Sequence, residues 1–296
     1  MKRALPWILA SLLLSRTEST LAYCGATTCG ALPDDQCETD AQGCAVDGVP
    51  LAWPLDASVA VICTGCDELT AEALSAAVGT WQAAACEGEA PSINFLLVDE
   101  PSTDQEQNAV VVEVIEEGWL YDASAVGRTT LEFGLTTGTI VRATIALNAE
   151  DFLLGTATDG VETDVQAVLT HELGHALGLA HSSVSGATMQ AEAVVGYVAE
   201  LSTLEEDDEE GLCALYPPEP TDAGAGGEGG PSPSGPGAGC SVAGPGAPMP
   251  NGATLGAVWT GAMLLLLGLE RRRISSIPRS ACLIRRVSST LRIRRR

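Results

Sequence analysis

All three histidines of this 296-residue chain fall within one short stretch, THELGHALGLAHSSVSGATMQ, at residues 170–190. His171, His175 and His181 follow the spacing His-Glu-x-x-His-x-x-Gly-x-x-His. Histidines four residues apart lie one above the other on a helix, so two imidazoles can bind one metal ion. Gly178 can adopt a positive φ and turn the chain out of the helix, which brings His181 to the same ion. The alternative is a core helix with incidental histidines, but chance does not readily produce this spacing.

The composition of the predicted site favours a catalytic zinc ion. Three protein ligands leave the fourth tetrahedral position open for water, and zinc lowers the pKa of that water to near neutrality. Glu172 follows the first histidine, in the exposed sector of the helix, and can take a proton from the water. We therefore predict zinc ligands at His171, His175 and His181, and a general base and acid at Glu172.

The boundaries of the active-site helix are also predictable. Thr163-Asp164-Val165-Gln166 has the form of a capping box, so the helix is expected to begin there and to run as far as Gly178. An apolar stripe along it predicts the face that packs on the core. The stripe consists of Val165, Leu169, Leu173 and Ala176.

Periodicity in the rest of the chain predicts an α+β domain built around one mixed sheet. Asp67–Cys86 has the period of a helix, and three later segments rich in β-branched residues are predicted strands: Ile93–Val98, Ala109–Ile115 and Gly138–Asn148. A helix followed by strands and then by further helices is typical of this fold class. The apolar face of the first helix consists of Leu74, Ala77, Val78, Trp81 and Ala85.

The N-terminal part predicts export and disulfide bonds. In residues 1–22, the basic Lys2 and Arg3 are followed by an apolar run and then by small residues that suit a cleavage site. This is the order of a secretory signal peptide. Eight of the ten cysteines lie between residues 24 and 213, and in an oxidising compartment they predict about four disulfides of unknown pairing. For Cys63 and Cys66 we favour a structural disulfide over a redox or zinc pair. Residues 23–54 are predicted to be a disulfide-pinned, cysteine-rich segment.

The acidic charge of the chain limits the kinds of molecule that its surface can bind. Residues 23–220 contain 35 acidic side chains and only two basic ones, Arg128 and Arg142. Such a surface repels nucleic acid and anionic membranes. It offers oxygen ligands for calcium, but no calcium-loop motif is identifiable, so Ca²⁺ stays a possible second ion.

The C-terminal third differs from the rest in composition. Residues 218–252 are rich in Gly, Pro, Ala and Ser, which predicts a flexible linker. Residues 253–269 are uncharged and apolar, and as a helix of about 26 Å they would just span a bilayer. Arg271–Arg273 follow, which predicts that this end stays in the cytoplasm. The remaining basic tail, within residues 270–296, is expected to be unstructured.

Taken together, the motif resembles the metzincin metallopeptidases, and Ser182 directly after the third histidine resembles their matrixin branch. The resemblance covers residues 55–217 and implies a metzincin-like mixed sheet with a long active-site helix and a C-terminal helix. It implies that SGATM is a Met-turn with Met189 beneath the zinc. It also implies that TGTIVRATIALN, ending at Asn148, is the edge strand that pairs with an extended substrate.

Two further resemblances concern latency and anchoring. Cys29-Gly-Ala-Leu-Pro-Asp loosely resembles the cysteine switch of matrix metalloproteinases, although its spacing differs by one residue and a basic residue is missing. Gly239-Cys240-Ser241, the apolar segment and the arginine cluster resemble the C-terminal sorting signal of myxobacterial surface proteins. That resemblance implies anchoring or processing near Cys240.

We therefore expect a monomeric, exported zinc endopeptidase of matrixin type that acts on extracellular polypeptides. Residues 253–269 would tether it to the membrane unless processing releases it, with Gly178 and Met189 supporting the site. Two alternatives stay open. One is a surface-anchored, zinc-binding adhesion module without catalysis, and the other is a zinc hydrolase of non-peptide amides or esters.

Overall fold

The computed structural model of the protein describes residues 23–29, 36–99, 108–156, 163–194, 201–219 and 284–294. The predicted signal peptide, Cys240 and the apolar segment 253–269 lie outside these ranges, as does nearly all of the predicted linker. All of the described residues belong to one compact unit.

A seven-stranded mixed sheet forms the frame of this unit, with the strand order β2-β1-β3-β5-β4-β9-β8. A separate two-stranded pair, β6 and β7, lies beside it. The strands are β1 (Ala57–Thr64), β2 (Ile93–Leu97), β3 (Ala109–Ile115), β4 (Ala125–Gly134), β5 (Ile140–Asn148), β6 (Leu154–Gly155), β7 (Thr163–Asp164), β8 (Glu192–Val194) and β9 (Ile284–Arg294).

The sheet has a parallel half and a mixed half. β1 pairs in parallel with β2 and β3, and β3 pairs in parallel with β5. β4 runs antiparallel to β5 on one side and to β9 on the other, and β9 then pairs in parallel with β8. The strand that would otherwise be the edge of the sheet, β4, is therefore covered by the C-terminal strand of the same chain.

The described ranges contain three α-helices beside the sheet: α1 (Glu68–Gln82), α2 (Val165–Ala176) and α3 (Glu206–Leu215). The main core lies where α1 and α2 pack together against the inner face of the sheet. Leu74 and Trp81 of α1 meet Leu169 and Leu173 of α2 within this cluster, all at 2% exposure or less. The predicted α+β fold class is confirmed.

Several predicted elements need correction. α1 ends at Gln82, so Ala85 is exposed and Ala84 is buried instead. The active-site helix is capped by Asp164, whose carboxylate accepts hydrogen bonds from Gln166 N and Ala167 N, and not by Thr163. β1 and β4 were not predicted. Both carry apolar residues on their inward-facing side, but polar residues interrupt the pattern in β4.

Two predictions about the edge of the sheet are wrong. Residues 138–148 do not form the edge, because β5 lies between β3 and β4. The basic tail is not unstructured throughout, since Ile284–Arg294 forms the longest strand among the described residues. It pairs with β4 along nearly its whole length, which satisfies the backbone groups on that edge of the strand.

The eight cysteines in the described part of the chain form four disulfides, as predicted. Cys63 pairs with Cys66, which confirms the structural interpretation of that pair. Cys29 pairs with Cys37, so it offers no free thiolate of the cysteine-switch kind. Cys24–Cys44 pins the N-terminal segment, and Cys86–Cys213 joins the loop after α1 to α3.

No helix within the described ranges is long and apolar enough to cross a bilayer. The predicted spanning segment falls outside those ranges and stays a prediction.

We predict that the disulfides with the longest and the shortest sequence separation differ in their effect on stability. Removing Cys86–Cys213, which closes a separation of 127 residues, should lower the free energy of unfolding by about 5 kcal/mol. Removing Cys63–Cys66, with a separation of 3, should lower it by about 2 kcal/mol, because the loop-closure entropy is smaller. Denaturant unfolding of the two double-alanine variants measures both values. Equal losses would contradict the entropic argument.

Candidate metal centre

The three histidines meet at one point beside α2. His175 Nε2 lies 3.1 Å from His181 Nε2, and one nitrogen from each of the three rings lies within 4.8 Å of the others. His171 and His175 are buried on α2, and His181 is partly buried on the segment that follows the helix. The His175 ring packs edge to face against both of the others, with its centroid 4.7 Å from that of His171 and 4.7 Å from that of His181.

Backbone carbonyl groups orient the two helical histidines. His171 Nδ1 lies 2.6 Å from the carbonyl oxygen of Thr188, and His175 Nδ1 lies 2.8 Å from that of Leu179. A carbonyl oxygen can only accept, so each Nδ1 carries the proton and donates it. Each Nε2 therefore keeps its lone pair and faces the point where the rings meet.

These residues fit a divalent metal ion. His171 Nε2 is buried and has no hydrogen-bond partner in the described part of the chain. A tetrahedral zinc ion with bonds of about 2.0–2.1 Å places its ligand nitrogens about 3.3 Å apart, close to the separation of the His175 and His181 nitrogens. The only other candidate group that the described residues form, Cys29, Cys37 and Asp47, contains both halves of a disulfide and offers no thiolate.

Burial keeps the histidines in the form that binds a metal. It lowers the pKa of His171 to about 3 and that of His175 well below its ordinary value. The pKa of His181 is also lowered, first by burial. The imidazoles are therefore neutral near pH 7, and a metal ion need not displace protons from them.

Glu172 is fully buried next to the histidines, so the prediction that it lies in an exposed sector is wrong. Thr129 Oγ1 donates to Glu172 Oε2 at 2.6 Å, and Leu291 N donates to Oε1 at 3.2 Å. Burial raises the pKa of Glu172 to about 8, against the lowering effect of the Thr129 hydrogen bond. Gly127 on β4 makes room for the carboxylate, since a Cβ there would lie 2.6 Å from Oε1.

The N-terminal segment holds the turn that delivers His181. Gly178 has a φ of 100°, the left-handed conformation predicted for it, and a Cβ there would lie 2.1 Å from Leu51 O. Ala26 N donates to Gly178 O and Ala180 N donates to Cys24 O, both at 2.7 Å. The cysteine-rich segment therefore pairs with the turn on both sides of Leu179, whose carbonyl group orients His175.

Aromatic side chains fix the carboxyl end of α2. Trp53 Nε1 donates to Ala176 O at 2.8 Å, and Tyr216 Oη donates to Leu177 O at 2.6 Å. Trp53 N in turn donates to the Tyr216 hydroxyl at 3.1 Å. These bonds satisfy carbonyl groups that the helix leaves without internal partners, and they fix the point at which the chain turns.

The loop that ends at Met189 forms the floor of the site. Met189 is 2% exposed, and its Sδ packs on Gly174, one residue before His175. Asp208 on α3 holds the loop, since its carboxylate accepts from Thr188 N at 2.8 Å and from Met189 N at 3.0 Å. This bond network positions the Thr188 carbonyl group that orients His171.

Sequence reasoning missed part of this environment. Thr129 and Gly127 belong to β4, an element that was not predicted, and neither has a motif of its own. Asp208 lies in the acidic first turn of α3. Acidic side chains at a helix start are already explained by the helix dipole, so the sequence gives no separate signal for the role of Asp208 at the loop before Met189.

Comparison with known proteins agrees with the motif. The matrixin family model matches residues 90–217, from the segment before β2 to the residues after α3. The matched segment includes all three histidines and Glu172, and it makes this part of the chain similar to the matrixin metalloproteases. A comparison with curated proteins gives no match. Among solved structures, one described as "Structure of Myroilysin" is 11% identical, with 56% of this chain and 82% of that chain covered and a TM-score of 0.35.

We predict that Gly174→Ala destabilises the metal centre. An added Cβ would lie 2.2 Å from Met189 Sδ and 2.8 Å from Trp81 Cζ2, so overpacking should cost about 1–3 kcal/mol. Gly79→Ala is the matched control, because a Cβ there meets nothing within 4 Å and should stabilise α1 by about 0.5–1 kcal/mol. Thermal unfolding and zinc content measure both variants. A neutral Gly174→Ala variant would contradict the packing of Met189 against α2.

Proposed function

We propose that the protein is a zinc-dependent endopeptidase in which His171, His175 and His181 hold the metal and Glu172 is the general base. The observation that carries this proposal is the buried Nε2 of His171, which has no described partner and faces the other two rings. The buried carboxylate of Glu172 beside these rings supports hydrolysis over metal storage, because an inert three-histidine site does not need it.

Several residues around the metal centre have separate roles in the proposed hydrolysis. When bound, zinc supplies an activated water and polarises the scissile carbonyl group. Glu172 takes a proton from the water and transfers it to the leaving amine. Thr129, through its hydrogen bond to Oε2, positions the carboxylate and opposes the burial that would keep it protonated. Thr188 and Leu179, through their carbonyl groups, hold the imidazoles in the ligating tautomer.

Polypeptides are the substrate class that the cleft favours. The edge of β4 at the site pairs with an extended segment, β9, along nearly the whole length of the strand. An extended peptide can add to a strand edge in the same way, through main-chain hydrogen bonds. This feature favours an endopeptidase over a hydrolase of small amides or esters, which would not need a strand-length binding surface. A catalytically inert adhesion module is disfavoured by the buried Glu172.

Export is part of the proposal. The four disulfides indicate an oxidising compartment, as expected for an extracellular protein. The signal peptide at residues 1–22, tethering through residues 253–269 and processing near Cys240 rest on sequence patterns alone. So do the expected monomer and any calcium ion.

We predict that Glu172→Gln abolishes peptidase activity without loss of zinc. The amide keeps the shape of the side chain and still accepts a hydrogen bond, but it cannot take a proton, so kcat/KM should fall by about 10²–10⁴-fold. His175→Ala is the comparison variant and should lose zinc as well as activity. Cleavage of a denatured protein and the zinc content per chain measure the two effects. Unchanged proteolysis by Glu172→Gln would refute the assigned role.

We predict a shifted pH profile for Thr129→Val. The Thr129 hydrogen bond lowers the pKa of Glu172, so its loss should raise that pKa. Because the base must be deprotonated, the acid limb of the kcat/KM profile should move to higher pH. Thr130→Val is the matched control. The Thr130 hydroxyl lies 2.9 Å from Ser288 Oγ on the exposed side of the strand, and so it does not bind Glu172. Identical profiles for the two variants would contradict the role of Thr129.

A further inference from the structure

We propose that the peptide bond between Thr290 and Leu291 is a self-cleavage site, and that β9 lies in the active-site cleft as the protein's own substrate. The inference rests on the proposed endopeptidase function and names one substrate for it. Three independent observations support it: the pairing of β9, the position of one peptide bond at the metal centre, and the burial of one side chain.

The first observation is that β9 is held on both of its edges. It pairs antiparallel with β4 from Gly134↔Ile284 to Ala125↔Arg292. Its last residues pair in parallel with β8, from Glu192↔Arg292 to Val194↔Arg294. β8 follows directly on the loop that contains Met189, so the segment crosses the site between the wall formed by β4 and the wall formed by this loop. This is how an extended peptide is bound by strand addition.

The second observation concerns the register. The backbone of Thr290 lies beside His181, and Leu291 N donates to Glu172 Oε1 at 3.2 Å. The peptide bond that joins these two residues therefore lies between a candidate metal ligand and the candidate base. A hydrolase needs the scissile carbonyl group beside the metal and the leaving nitrogen beside the proton donor.

The third observation is the selective burial of β9 side chains. Leu291, directly after the proposed cut, is completely buried and joins the main core cluster. Arg286 and Arg292 point outward, where they pair with Glu132 and Asp122. The strand carries four arginines and no acidic residue, whereas residues 23–220 are strongly acidic. The apolar side chain of Leu291 is thus buried in the core, while the positive charge of β9 attracts the strand to the acidic surface around the cleft.

The proposed step is simple hydrolysis. The oxygen of one water molecule bonds to the carbonyl carbon of Thr290, and the bond from that carbon to Leu291 N breaks. Glu172 moves one proton of the water to the nitrogen, which gives a carboxylic acid at Thr290 and an amine at Leu291. The acid then gives up its proton and the amine takes one up, so the final products are a carboxylate and an ammonium group. No oxidant or further reactant is needed.

Mass spectrometry of the full chain tests the cut. Incubated with zinc, the chain should release Leu291–Arg296 and acquire a new C-terminus at Thr290. Leu291→Asp should reduce this cleavage at least 100-fold, because a carboxylate cannot enter the buried position without a partner. Ser288→Asp is the matched control on the exposed side of the same strand and should be cleaved at the rate of the unaltered chain.

Hydrogen exchange tests the occupancy of the cleft without any turnover. In the full-length Glu172→Gln variant, the backbone amides of residues 285–291 should exchange at least 100-fold more slowly than in an unstructured peptide. Adding Leu291→Asp should remove this protection, while the amides of α2 stay protected. Exchange of residues 285–291 at the unstructured rate in Glu172→Gln would overturn the proposal.

An external substrate separates the failure of this inference from the failure of the proposed function. If the full chain cleaves a denatured protein but leaves Thr290–Leu291 intact, self-cleavage is refuted and the endopeptidase function stands. If it cleaves neither, both are refuted. Cleavage of both, with the Leu291→Asp and Ser288→Asp variants differing as stated, supports both.

Discussion

The metal centre depends on two backbone hydrogen bonds, from His171 Nδ1 to Thr188 O and from His175 Nδ1 to Leu179 O. They decide which ring nitrogen faces the metal, and so they turn a helix with two histidines into a ligand set. Both carbonyl groups lie in the chain after α2, which means that the helix alone cannot form the site. The turn at Gly178 and the loop before Met189 have to fold back first.

Much of the surrounding structure holds those two carbonyl groups in place. The N-terminal segment, tied by Cys24–Cys44, pairs with the chain around Leu179, and Asp208 on α3 binds the loop that carries Thr188. α3 is itself tied to the loop after α1 by Cys86–Cys213. Each of these two disulfides therefore supports the site through the segment that it holds in place.

The sequence predicted which three histidines come together and which carboxylate lies on the same helix, because the spacing of these residues is specific to a metal-binding motif. It could not predict the groups that orient them, since a backbone carbonyl has no side-chain signature. β4 was missed because Arg128, Thr130 and Glu132 alternate with its inward-facing residues and mask its apolar side. β9 was predicted to be part of an unstructured basic tail, because polar and apolar residues alternate only weakly along its sequence. This weak alternation indicates a strand only when β4 is known to lie beside it.

The position of β9 also has a topological consequence. A strand that lies beside Glu172 is on the same side of any membrane as the catalytic residues. A helix across the bilayer at residues 253–269, with Arg271–Arg273 in the cytoplasm, would carry residues 284–294 to the opposite side. A single molecule can therefore be anchored in that way or have its cleft filled by its own tail, but not both. Insertion into the membrane would then withdraw the strand and open the cleft.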